Sequence, residues 1–186
     1  VAIAKFPNNG KFQIYLEVLR SMDESETGRA SAGVRLDELS ELAPGNTIFI
    51  AQTYQNYGDG AYQKLRFASS IEAFRRALDF DPERLAARIN LGWALITEGK
   101  SGEAAEQYQY VLSGGQNSIA HFNLGLSYLA SGAYEEARLA YQTAMEVHGI
   151  SEAERLGVPG HLRLLIAHGP HSKVAGEIAQ SYWLGE

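Results

Sequence analysis

Along residues 11–22 the apolar positions Phe12, Tyr15, Leu16 and Leu19 fall at i, i+3, i+4 and i+7, which predicts a helix with these four side chains on its buried face. A polar run over residues 23–28 ends in Gly28 and reads as a turn. Helical spacing resumes through Ala32, Leu36, Leu39 and Leu42, and Pro44-Gly45-Asn46 closes it. The next helix is expected over residues 47–57, with Gly58-Asp59-Gly60 interrupting or ending it early. Residues 62–67 carry no clear period. Residues 69–80 form a helix with Ile71, Phe74, Ala77 and Leu78 inward, and Pro82 stops it. Further helices follow over residues 85–97, 102–112, 118–130 and 134–147, joined by short polar or glycine-bearing connections that bring successive helices back antiparallel.

Beyond Gly149 the pattern loosens. Ser151 and Glu154 have capping-box spacing, Gly157-Val158-Pro159-Gly160 predicts a break, and residues 161–168 and 172–184 read as helices. The last of these carries Ala175, Ile178, Ala179, Tyr182 and Trp183. With Ile166, they are expected to cover the open apolar end of what precedes them.

Within residues 51–150 one pattern is written three times, at intervals of 34 and 33 residues. Its columns are Gly58, Gly92 and Gly125; Ser70, Ala104 and Ala137; Phe74, Tyr108 and Tyr141; and Ala77, Val111 and Ala144. Four columns agreeing at one period define a repeat array. The glycines and the small residues let the two helices of a pair approach closely, and the aromatic rings are expected to fill the space between one pair and the next.

These columns, with the Leu91-Gly92 and Leu124-Gly125 doublets and the Asp81-Pro82 stop, resemble the tetratricopeptide repeat. Arg88 and His121 depart from the pattern where the family usually has a large aromatic residue, a place Tyr54 fills in the first copy. The resemblance implies an all-α fold, a right-handed superhelical solenoid of antiparallel helix pairs, with residues 1–186 as one array. Residues 1–10 read as the tail of a preceding repeat, 11–46 as a degenerate repeat, and 47–84, 85–117 and 118–150 as repeats. Residues 151–186 read as a degenerate repeat or capping helices. The recurrence of Pro7, Pro44 and Pro82 supports that division, and the chain is expected to be a fragment of a larger, bacterial-type protein.

In this family the first helices of successive repeats line a concave groove that binds peptides or helices. Helical spacing from the glycines places Gln55, Asp59 and Tyr62, then Ile89, Trp93 and Ile96, then Phe122, Leu126 and Leu129 along that lining. A second stripe, Asn56, Asn90 and Asn123, could hold a bound peptide backbone. The lining is apolar enough to favour an apolar or amphipathic helix as ligand, with Trp93 as the main contact. Its alternative is plain packing between neighbouring first helices. Gln55, Ile89 and Phe122 stand where a carboxylate-binding groove needs lysine or arginine, so that activity is not expected. The other function class is structural: an array that self-assembles into a homo-oligomer, its groove filled by residues 172–184.

Composition narrows the rest. With 22 acidic and 16 basic residues the net charge is −6, which gives no general field for nucleic acid. Lys64, Arg66, Arg75, Arg76, Arg84 and Arg88 form a local basic cluster, read as solvated outer faces. The chain has no cysteine, and no apolar run approaches the length of a membrane helix, so membrane insertion is not expected. His161, His168 and His171 lack both metal-site spacing and a nearby carboxylate before Glu177. No catalytic residue, metal or cofactor is expected, and the compartment stays open.

Overall fold

The computed structural model describes residues 10–22, 35–38, 40–41, 44–168 and 170–183. Chain contacts divide it into two compact units, Val1–Ala94 and Leu95–Glu186.

In the first unit, α1 (Gly10–Ser21) packs on α2 (Pro44–Gln63), and α2 pairs with α3 (Phe67–Phe80). Between α1 and α2, residues 35–38 and 40–41 are helical and Leu36 is fully buried. The expected residues Ala32, Leu39 and Leu42 lie outside the described positions. The inward face of α1 is turned from the expected one: Leu16 is half-buried, and the side chain of Phe12 lies outside the described positions. Ile14 and Val18 are completely buried, whereas Tyr15 and Leu19 are 48% and 39% exposed. Both sets have helical spacing, and the Ile14 face wins because it also carries Ser21, whose hydroxyl lies 2.6 Å from the buried Tyr54 hydroxyl of α2.

The pair Gly58 and Gly60 does not end its helix either, since α2 runs on to Gln63. Each glycine costs about 1 kcal/mol of helix propensity, but packing overrides it at Gly58. A Cβ built there would lie 2.6 Å from the Phe74 ring of α3, and Ser70 of α3 donates a 2.9 Å hydrogen bond to the Gly58 carbonyl. The α2–α3 connection is a Schellman turn. The Arg66 amide donates to the Ala61 carbonyl and the Leu65 amide to that of Tyr62, with Leu65 at φ 59°. Helix α4 (Leu85–Thr97) begins in this unit and runs past its end.

In the second unit, α5 (Ser101–Ser113) and α7 (Tyr134–Arg155) both pack on α6 (Ser118–Ser131). Asn117 caps α6 by accepting from the Ala120 amide at 2.9 Å. The Tyr141 ring of α7 lies on Gly125 of α6, where a Cβ would come within 2.9 Å of it. The rings of Phe74 and Tyr141 therefore seat on the glycine of their own pair, and Tyr141 also joins a buried cluster with Leu162, Ile178 and Ala179 further along the chain. Helix α7 continues past Val147 but bends at Gly149, which leaves helical geometry at φ 79°, ψ 169°.

Two shorter helices, α8 (Val158–His168) and α9 (Ser172–Tyr182), pair with each other and touch α7. The expected break falls at its start, with Gly157 at φ 75° between α7 and α8, and Pro159 sits in the first turn of α8, where a proline gives up an amide that has no intrahelical partner.

Candidate partner-binding faces

In the first unit the candidate positions divide by what they bond. Gln55 and Asp59 lie one turn apart on α2, and both reach toward the start of α4. The Arg84 guanidinium donates through Nε to Gln55 Oε1 at 2.7 Å, and Asn90 Nδ2 donates to Asp59 Oδ1 at 2.8 Å. Arg84 also bonds Gln52 and pairs with Asp81 at 3.1 Å, and its side chain is only 15% exposed. It is thus an internal bridge rather than part of a solvated basic face. The charge pattern singled it out only as one of a basic cluster, because the residue precedes the repeat's helical spacing. Asn56 is exposed and its Oδ1 accepts from Gln52 at 2.7 Å. Tyr62 is half-buried against Phe67, ring centroids 5.4 Å apart and edge to face. Ile89 and Trp93 are half-buried as well.

The second unit treats its positions differently. Phe122 and Leu129 are 2% and 0% exposed and belong to one buried cluster with Tyr141, Met145, Leu162, Ile178 and Ala179. Leu126 is buried too, and only Ile96 remains half-buried. Phe122, Leu126 and Leu129 were expected on a groove surface, but all three are buried in this unit, Phe122 and Leu129 because α7, α8 and α9 supply enough apolar side chains to enclose them. The C-terminal residues expected to act as a cover, Ala175, Ile178 and Ala179, are buried in the same cluster, with Ile166, Tyr182 and Trp183 packed against it.

The asparagine column consequently has no single role. Asn56 bonds within α2, Asn90 ties α4 to α2, and Asn123 is buried with its Nδ2 lacking a hydrogen-bond partner.

The histidines also separate. His161 is half-buried, and burial pulls its pKa below the ordinary imidazole value. His171 Nδ1 lies 3.1 Å from the Tyr134 hydroxyl. The side chain of His168 lies outside the described positions. His121, in the column the family fills with an aromatic residue, stacks obliquely on His148 with ring centroids 5.0 Å apart. Burial first, then the His148 ring, lowers the His121 pKa. Among the described residues no group of three or more histidine, aspartate or glutamate side chains could hold a metal ion, and no helix is long and apolar enough to cross a membrane.

Short antiparallel pairs, glycine-seated rings and a face of variable side chains on the first helices define the class: a helical-repeat module for protein–protein interaction. The family profile of the tetratricopeptide repeat matches residues 58–118 and 89–146, and the chain is a tetratricopeptide repeat protein. The peroxisomal targeting signal receptor of Candida albicans is 25% identical over 142 residues, 74% of this chain and 24% of that protein. The receptor of the same name from Kluyveromyces lactis is 29% identical over 100 residues, 53% of this chain and 17% of that protein. The human intraflagellar transport protein 88 homolog is 28% identical over 97 residues, covering 50% of this chain and 12% of that protein. The chain thus spans a quarter or less of the length of each.

Proposed function

We propose that the chain is a non-catalytic interaction module that holds a peptide or helical segment of a protein partner on the α2–α4 face of its first unit. The observation that carries this reading is Trp93, a large amphipathic side chain left half-buried on a first helix whose polar neighbours already bond one another. Asp59 is paired with Asn90 and Gln55 with Arg84, while Tyr62, Ile89 and Trp93 are half-buried and Asn56 is exposed on the same two helices. That set suits an amphipathic segment, apolar on one side and hydrogen-bonding on the other. Two of the relatives are named as receptors for a targeting signal, which supports a protein-borne segment as ligand. Isothermal titration with a panel of amphipathic helical peptides tests it. Trp93→Ala should weaken binding about tenfold or more, as expected of a hot-spot tryptophan; unchanged affinity removes Trp93 from the face.

A second reading concerns the other unit. There Phe122 and Leu129 serve the chain's own C-terminal helices instead of a partner, Asn123 and Leu126 are buried too, and Ile96 is half-buried. The shared buried cluster with Ile178 and Ala179 favours it. A self-assembling array would add association to this picture. Light scattering that finds a monomer at all concentrations would leave the internal role and reject assembly.

A further inference from the structure

We propose that His121 and His148 form a two-imidazole site for a divalent transition-metal ion, copper(II) by preference. His121 projects from the first turn of α6, and His148 from α7 directly before the bend at Gly149. Their facing nitrogens, His121 Nδ1 and His148 Nε2, are 2.8 Å apart, with ring planes inclined at 51°. Two nitrogens bound at about 2.0 Å in adjacent positions of a square-planar or octahedral ion stand about 2.8 Å apart, whereas tetrahedral bonds of that length would separate them by about 3.3 Å. The tetragonal geometry is the one copper(II) and nickel(II) favour, and copper(II) binds the more tightly of the two.

In the absence of an ion, the two rings share one proton in a hydrogen bond. The ion takes that proton's place: the donor ring tautomerises, carrying its proton on the nitrogen that faces away, so that two neutral imidazole lone pairs turn toward the ion. The surroundings suit this exchange. The Glu152 carboxylate, held by Ser118 at 2.6 Å and by Arg155, lies close enough to act electrostatically on His148 and offsets part of the ion's charge. A groove of about 300 Å³ opens beside His121, lined by Leu124, Tyr128, Leu139 and Thr143 among others, so that this ring is reached from solvent.

The test is titration of the metal-stripped full chain with copper(II) against glycine as competitor, followed by pulsed electron paramagnetic resonance. One equivalent of copper should bind through two inequivalent imidazole nitrogens. His121→Ala and His148→Ala should each lower the affinity at least about tenfold, and His161→Ala should leave it unchanged. A wild-type spectrum with one coordinated imidazole or none overturns the proposal, as does unchanged affinity in the double variant. Because the wild-type spectrum decides by itself, the outcome stands even if an alanine variant fails to fold.

Discussion

Helices α2 and α6 occupy equivalent places in their repeats, yet one keeps its variable face half-open while the other loses it to a core. On α2, Gln55 and Asp59 bond forward to Arg84 and Asn90, and Tyr62 stays half-buried. On α6, Phe122 and Leu129 are sealed among apolar residues of the C-terminal helices, and Leu126 is buried as well. The difference teaches that position within a repeat fixes where a side chain points, whereas the segment packed beside it decides whether that side chain is surface or core.

The sharpest way to break this comparison is to truncate one large side chain from each face. Phe122→Ala should cost about 3 to 5 kcal/mol of stability, the range for a buried ring, while Trp93→Ala should cost clearly less and act on binding. Urea denaturation measures both, and a mild Phe122→Ala would return the α6 face to the surface. Next come the glycines that both units share. Gly58→Ala and Gly125→Ala should each cost about 1 to 3 kcal/mol through forced displacement of Phe74 or Tyr141. A larger loss at Gly58 would follow its tighter contact.

A smaller effect, of opposite sign, is expected at the α2–α3 turn. Three Schellman turns recur, with Leu65, Gly99 and Gly132 in the left-handed position. Leu65 is the departure, exposed and at φ 59°. Leu65→Gly should raise stability by about 0.5 to 1 kcal/mol, because removing the strained Cβ outweighs the added freedom of the unfolded chain. A lower melting temperature would refute the strain.

The smallest effect belongs to pH. A hydrogen bond from Arg138 holds the Glu177 carboxyl below its ordinary value of 4.5. Its contribution is therefore complete above pH 4.5 and fades as pH falls through the lowered value. Glu177→Gln should flatten the second unit's acid unfolding profile slightly, and an identical profile would show the pair to be idle.

Much of the scaffold was legible because its columns combine two constraints, a glycine and a ring that must meet. Gly58 with Phe74 and Gly125 with Tyr141 do meet, though inside each pair. Helical spacing alone was less decisive. On α1 two apolar faces competed, and only the neighbouring Tyr54 selected the one bearing Ile14 and Val18. The candidate face was legible as a set of positions and illegible as a surface. Nothing local to Phe122 announces that Ile178 and Ala179 return to enclose it. Arg84 was read as part of a solvated cluster for a similar reason, since its partners Gln52 and Gln55 lie far back in the chain.

The bond from Ser70 to the Gly58 carbonyl closes a loop of only 12 residues. Contacts of such short range form early, because little chain entropy is lost in bringing their ends together. Each glycine-seated pair is accordingly expected to assemble on the fast side of the range for domains of this size. The sealed cluster of the second unit must wait for α9, the last of the described helices, and so sets the pace of maturation.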